Sequence, residues 1–283
     1  MILLDGKKGA STLEQSLKEK IAAIGDRKPG LAFIRVGNNP ASKVYIGMKK
    51  KKCAEVGIHS VDHELPENTS ASALLDLIDT LNASATIDGI LLQLPLPAHL
   101  TPSMFLERID PKKDVDGFHP YNMGRLLMGH LDGLIACTPK GIHHLLQAYQ
   151  IPIAGKHVVI VGRSNIVGKP LAALLMQKDP SCNATVTVAH SQSENLTHIC
   201  KEADILIAAL GIPNFIQSSM VKRGATVIDV GINKVGSTLV GDVDFASVAP
   251  LCSHITPVPG GVGPMTIALL MENTFLAYTR NSC

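Results

Sequence analysis

Long apolar runs, paired cysteines and an excess of either charge are all missing from this 283-residue chain. No stretch approaches the roughly 18 consecutive apolar residues that a membrane-spanning helix needs. The opening MILLDGKKGA has only a short apolar stretch before its charges, so neither a signal peptide nor a membrane span is expected. The six cysteines (Cys53, Cys137, Cys182, Cys200, Cys252, Cys283) form no Cys-x-x-Cys pair and have no histidine at zinc spacing. That argues against a disulfide or metal framework and for reduced thiols in the cytoplasm. Lys plus Arg number 26 against 24 Asp plus Glu, and a net charge of +2 gives no bulk field to hold nucleic acid or an anionic membrane. Any anion site must therefore be local. What is present, 46% hydrophobic and 18% charged residues with 24 Gly and 17 Pro, is globular rather than disordered, collagen-like or coiled-coil. The length suggests two domains or one large one.

Along the chain, short apolar runs alternate with helical spacing. Leu13, Leu17, Ile21 and Ile24 share one face of a helix predicted over 8–26. A strand follows over 31–36, a helix over 40–56 bounded by Pro40 and Gly57, a strand over 58–65 and a helix over 70–81. Residues 87–94 (IDGILLQL) are nearly all apolar, as in a strand covered on both faces, and stop at Pro95 and Pro97. Residues 98–137, rich in Gly, Pro and Asp, read as irregular chain passing between domains. A second series follows: helix 138–149, strand 156–161, helix 170–178, strands 184–189, 204–210 and 225–230, and a last helix over 264–279. Such alternation predicts an α/β fold with mostly parallel sheets, whose ligands sit beyond the carboxyl ends of the strands.

HVVIVGRSNIVGKPLAALL runs from a strand through glycines into a helix, the arrangement that offers free N–H groups and a helix dipole to phosphate. As an ATP-type P-loop it fails, since five residues separate Gly162 from Gly168 and Pro170 stands where Ser or Thr must meet magnesium. As a dinucleotide turn it has Ser164 in place of the middle glycine, but its context is right. A merely structural turn is the other reading. An NAD site usually has Asp or Glu after the second strand, whereas here His190-Ser191 follows Ala189. With Arg163 near, the 2′-phosphate of NADP is the better fit, unless Arg163 is a plain surface ion-pair residue.

Tyr45 and Lys49 are four residues apart on one helix face, with Ser42 a turn earlier. A lysine beside a phenol in a pocket can shuttle protons. On spacing alone, however, Lys49 to Lys52 as a solvated basic face is the simpler reading. Gln93 interrupts an apolar strand and needs polar partners there. Asp114 and Asp116 in KDVDG either bind the amino groups of a heterocycle or make an Asx turn. The late loop 256–266 (TPVPGGVGPMT) combines rigid prolines with small glycines, which lets a ligand approach the backbone.

Taken in order, YIGMK (45–49), LLQLPLP (91–97), KDVDG (113–117), CTPKG (137–141), VIVGRSNIVGKP (159–170), VIDVGIN (227–233), VGDVD (240–244) and ITPVPGGVGPMT (255–266) closely resemble the bifunctional methylenetetrahydrofolate dehydrogenase/cyclohydrolase family, in its bacterial form. The resemblance spans essentially the whole chain. It implies NADP as cofactor, tetrahydrofolate derivatives as substrates, a role in one-carbon metabolism and a homodimer. It implies two α/β domains with a cleft between them: residues 1–137 completed by 264–283 for folate, and a Rossmann-like domain over 138–263 for NADP. It makes Lys49 the catalytic lysine, with Tyr45, Gln93 and Asp116 around it, and so overrides the basic-face reading. By the same resemblance Gly162, Arg163, Ser164 and Ile232 contact NADP, Ser191 helps hold its phosphate, and Pro259, Gly260, Gly261 and Thr266 belong to the substrate loop. No metal is implied. An amino-acid-type NADP dehydrogenase and a non-enzymatic nucleotide sensor are the alternatives. The first usually carries its lysine in a Gly-rich segment of a longer chain, and the second has no use for Lys49, Gln93 and Asp116 together.

Overall fold

The computed structural model describes residues 1–25 and 27–281. In chain order the first elements are β1 (Ile2–Leu3), α1 (Gly6–Ala22), β2 (Gly30–Val36), α2 (Pro40–Val56), β3 (His59–Leu65), α3 (Ala71–Ala83) and β4 (Gly89–Leu92). Then come α4 (Pro102–Leu106), α5 (Pro120–Leu127), α6 (Cys137–Ala148), β5 (His157–Val161), α7 (Gly168–Leu175), β6 (Thr185–Ala189) and α8 (Leu196–Lys201). The remainder is β7 (Ile205–Ala208), β8 (Thr226–Asp229), β9 (Asn233–Val235), β10 (Thr238–Val240), α9 (Phe245–Val248), β11 (His254–Ile255) and α10 (Val262–Asn281). The chain forms two compact units, one of residues 12–125, 132–137 and 267 onward, the other of residues 1–11, 126–131 and 138–266.

The first unit is built on a three-stranded parallel sheet in the order β3-β2-β4. Every residue of the central strand β2 is buried, which is why GLAFIRV shows no alternation. In α3 the apolar positions Leu74, Ile78 and Leu81 recur at helical spacing and pack with Ala32, Ile34, Ile90 and Leu92. Burying side chains of this size contributes about 1.5–3 kcal/mol each. Ser70 caps the start of α3 by accepting from the Ala73 N–H at 3.2 Å. At its other end the Lys113 ammonium donates to the carbonyls of Leu81, Asn82 and Ser84 at 3.0, 2.8 and 2.8 Å. Residues 98–137, expected to be irregular, contain α4 and α5, which are too short to declare themselves by periodicity.

The second unit carries a six-stranded parallel sheet in the order β1-β11-β8-β7-β5-β6, with a separate β9–β10 hairpin. Residues 1–11, expected with the first domain, belong to this unit because Ile2 and Leu3 pair in parallel with His254 and Ile255. Two-residue strands leave no alternation to read, so β1 and β11 escape sequence analysis. The five described cysteines are buried and in no disulfide, while Cys283 lies outside the described residues. Among the described residues no helix is long and apolar enough to cross a membrane.

Strand order locates the places where ligands can enter. In the small sheet the chain leaves β2 to one side for β3 and returns on the other for β4. In the large sheet it leaves β5 toward β6 and returns on the opposite side as β7. At each such reversal the connections diverge and open a crevice beyond the carboxyl ends of the strands.

Candidate active site

The first crevice lies beyond β2 and β4. Gln93 follows β4, and its Oε1 accepts from the Lys49 Nζ at 3.1 Å while its Nε2 donates to the Leu94 carbonyl at 2.8 Å. The amide is thus fixed with its oxygen toward the lysine. The buried Ser42, near the start of α2, donates from Oγ to the same carbonyl at 3.4 Å, tying the helix to the Leu94–Pro95 segment, whose peptide bond is cis.

The lysine run on α2 is not a uniform solvated face. Lys50 pairs with Asp62 at 2.7 Å, and Lys52 pairs with Glu14 and Glu55 at 2.8 and 2.7 Å. Lys51 reaches Glu55 only at 4.0 Å. Lys49 alone of the four turns to an amide, and it is half-buried. Tyr45 shares its helix face one turn earlier and is 36% exposed; no hydrogen bond links its hydroxyl to Lys49.

The two carboxylates of KDVDG separate cleanly. Asp114 is buried and accepts from the Phe118 N–H at 3.1 Å through Oδ1, and from the His119 N–H and Asn122 Nδ2, both at 2.8 Å, through Oδ2. It makes the turn, and burial pushes its pKa up to about 7. The Asp116 carboxylate accepts no hydrogen bond from the described residues. Burial lifts it above the usual carboxylate range and the charge of Lys49 draws it part of the way back. An ionisable group near a lysine, with its acceptor sites unused, is available to a ligand.

The second crevice lies beyond β5 and β7. Gly162 directly follows β5 at φ +130, and a Cβ there would stand 2.1 Å from the Ala209 carbonyl oxygen, so only glycine lets the turn close. Ser164 Oγ accepts from the N–H groups of Val167 and Gly168 at 3.1 and 3.5 Å and so caps the entry to α7. This gives a reason for serine at the middle glycine position. The N–H groups of Arg163, Ser164, Asn165 and Ile166 have no partner in the described residues, and the exposed Arg163 guanidinium has none either. Beyond β6 stand His190 and the exposed Ser191, at the position where an NAD site usually has Asp or Glu. Free N–H donors before a helix and an unpaired guanidinium suit a phosphate-rich dinucleotide. Ile232, 46% exposed, follows β8 in the same unit.

The late loop also belongs to this unit. It holds a cis Val258–Pro259 bond and Gly260 at φ +109, whose carbonyl accepts from the Gly6 N–H at 3.0 Å. Gly261 is buried beside it, Pro259 is exposed, and Thr266 Oγ1 lies 3.0 Å from that of Thr138. Lys49, Gln93 and Asp116 therefore gather in one unit, and Gly162, Arg163, Ser164, Ser191, Ile232 and the residues of the late loop stand in the other. Sequence reading gave no role to two buried aspartates of the second unit, Asp229 and Asp242, although both fall within the quoted motifs.

Comparison with known proteins identifies the arrangement. Residues 4–116 match the family described as tetrahydrofolate dehydrogenase/cyclohydrolase, catalytic domain, and residues 136–282 match the NAD(P)-binding domain of the same family. The chain is 56% identical over 283 residues to the bifunctional protein FolD of Chlamydia pneumoniae, covering 98% of this chain and 99% of that one. The crystal structure of the bifunctional enzyme FolD, methylenetetrahydrofolate dehydrogenase/cyclohydrolase, from Campylobacter jejuni is similar with a TM-score of 0.95 at 48% identity, covering 99% of each chain. The Trypanosoma brucei enzyme, complexed with NADP cofactor and inhibitor, gives 0.94 at 35% identity, covering 100% of this chain and 98% of that one. With both domains matched in order and relatives this similar along nearly its whole length, the chain belongs to the tetrahydrofolate dehydrogenase/cyclohydrolase family.

Proposed function

We infer that the protein oxidises methylenetetrahydrofolate with NADP and hydrolyses the methenyl product to formyltetrahydrofolate, two consecutive steps of one-carbon metabolism. The observation that carries this reading is the Lys49–Gln93 contact at the reversal point of the small sheet, with the unsatisfied Asp116 carboxylate in the field of the same lysine. The unit with Lys49 holds the folate, and the unit with the Gly162 turn holds the dinucleotide.

The nicotinamide, when bound, supplies the hydride acceptor. Arg163 donates to the 2′-phosphate, Ser191 adds a hydroxyl beside it, and the free N–H groups after Gly162 face the pyrophosphate. Ser164 sets the helix entry and Ile232 gives an apolar contact. Asp116 accepts from the amino group of the pterin and fixes its register. Pro259, Gly260, Gly261 and Thr266, in the second unit, are assigned to substrate through the family resemblance. Hydride transfer asks mainly for alignment. Hydrolysis asks for proton movement: as water adds to the methenyl carbon, the Lys49 Nζ takes one of its protons and passes it to the ring nitrogen that leaves. The hydroxyl proton goes to solvent as the formyl carbonyl forms, so one proton is released overall. Gln93 orients the amine through the 3.1 Å contact, and Tyr45, one turn earlier on the same helix face, offers its ring to the substrate.

In the finer reading the protein is a cytoplasmic homodimer. Terminal strand β6, where Thr185 and Val188 are exposed, offers an unpaired edge for association. Light scattering at micromolar concentration should return twice the mass of one chain, and a monomer would refute the dimer. The activity is tested by absorbance. Methylenetetrahydrofolate with NADP should yield NADPH and a methenyl signal that then decays by hydrolysis. Failure to form NADPH would refute the reading.

A further inference from the structure

Asp229 and Asp242 have no part in the chemistry just described, yet they are the most heavily bonded carboxylates of the second unit. Asp242 Oδ2 accepts from the N–H groups of Leu210 and Gly211 at 2.6 and 2.9 Å, and its Oδ1 accepts from Asn233 Nδ2 at 2.8 Å. Asp229 Oδ1 accepts from the N–H groups of Gly231 and Asp242 at 3.0 and 2.9 Å, and its Oδ2 from that of Val243 at 3.0 Å. A Cβ on Gly241 would lie 1.8 Å from Asp229 Oδ2, so the chain makes room for the carboxylate itself.

These bonds end on the two segments that border the dinucleotide turn. Leu210 and Gly211 directly follow Ala209, whose carbonyl is the surface against which Gly162 closes. Ala209 is itself held by its N–H to the Val161 carbonyl at 2.9 Å, at the end of β5. Gly231 directly precedes Ile232. One carboxylate therefore fixes the wall after β7 and the other the wall after β8, and the Asp242 N–H joins them.

We propose that Asp229 and Asp242 form a carboxylate latch that positions the 209–211 and 231–232 segments for the dinucleotide, making them positioning residues for hydride transfer and not for hydrolysis. The proposal rests on the dinucleotide reading of the Gly162 turn. A purely structural role explains the pair poorly. Burying two carboxylates together is costly, and burial with the nearby Asp242 pushes the Asp229 pKa up to about 6. Several of the N–H groups they satisfy, those of Leu210, Gly211 and Gly231, lie in connecting loops beyond the strand ends.

The donor inventory gives a test. An asparagine at 242 still offers one oxygen to Leu210 and Gly211, and the Asn233 amide can turn to accept from the new NH2. An asparagine at 229 cannot serve, because N–H donors stand on both oxygens and one of them must face the new NH2. Asp242→Asn should keep the KM for NADP within about threefold, whereas Asp242→Ala and Asp229→Asn should raise it about tenfold or more. Hydrolysis of methenyltetrahydrofolate without nucleotide, and the KM for methylenetetrahydrofolate, should stay near parental in all three. Asn233→Asp, which sets a second carboxylate against Asp242 Oδ1 from the hairpin, should also raise the KM for NADP and serves if either severe variant does not fold. Unchanged NADP affinity in the severe variants and in Asn233→Asp, or hydrolysis lost in parallel with it, would overturn the latch. Parental protein that shows no saturable NADP binding would instead overturn the dinucleotide reading.

Discussion

The two carboxylates of KDVDG allow a test in which one substitution should cost stability and its near neighbour should cost activity. Asp114 meets three donors with two oxygens at 2.8–3.1 Å. Asp114→Asn turns one oxygen into an NH2 that faces a donor, and a buried donor left unmatched costs about 1–3 kcal/mol. A tenfold change in the folding equilibrium corresponds to about 1.4 kcal/mol, so urea denaturation reads the loss directly. Asp116 has no donor among the described residues to lose. Because its folded pKa lies above the ordinary carboxylate value, neutralising it removes a cost of burial, and Asp116→Asn should unfold at or above the parental midpoint. Its effect should fall on the substrate: losing a charge-assisted bond to the pterin is worth about 1.5–3 kcal/mol, or roughly 10- to 150-fold in kcat/KM for methylenetetrahydrofolate. The assays are urea denaturation and steady-state kinetics on the same preparations. Asp116→Asn that is destabilised yet fully active, or Asp114→Asn with an unchanged midpoint, would refute the division of roles.

Arg163→Ala should lower NADP affinity by about 1.5–3 kcal/mol and leave NAD use little changed, since the guanidinium has no partner in the described residues to strand. Equal losses with both cofactors would show that it holds the pyrophosphate or the turn. The stability contribution of Asp114 depends on pH with a definite sign. Its folded pKa of about 7 lies above the unfolded value of about 3.9, so between them the folded state binds the extra proton and the contribution falls as pH rises through that window. Asp114→Asn should therefore be less destabilising at pH 8 than at pH 5, and the opposite trend in urea midpoints would contradict the assignment.

Much of this was legible in the sequence because local pattern and tertiary demand agree. The α2 limits, Pro40 and Val56, coincide with those predicted from the proline and the following Gly57, and the apolar runs of β2, β4 and β5 reflect strands buried from both sides. The glycine turn was readable as well, since a strand ending in Gly162 and leading into a helix has few other uses. What escaped depends on partners distant in sequence. Nothing in KDVDG says which aspartate meets the Phe118–Asn122 turn, or that Lys113 reaches back to the end of α3. Likewise Asp229 and Asp242 become intelligible only when β7, β8 and the hairpin bring Leu210, Gly231 and Asn233 to them. Within the lysine run, ion pairs to Glu14 and Asp62 from other elements distinguish Lys49 from its neighbours.

The central claim, that the Lys49 amine moves the protons of hydrolysis, is tested most directly by the rate at which Lys49→Met hydrolyses methenyltetrahydrofolate. Methionine keeps much of the apolar stem and removes the amine that Gln93 holds at 3.1 Å. Thermal unfolding should shift by no more than about 1.5 kcal/mol, the net worth of the one hydrogen bond to Gln93 that is lost. The decay of methenyl absorbance should slow by at least the roughly 100-fold expected of a positioned acid or base, while NADPH formation from methylenetetrahydrofolate survives in part. Hydrolysis at the parental rate would contradict the account and return Lys49 to the basic face of α2.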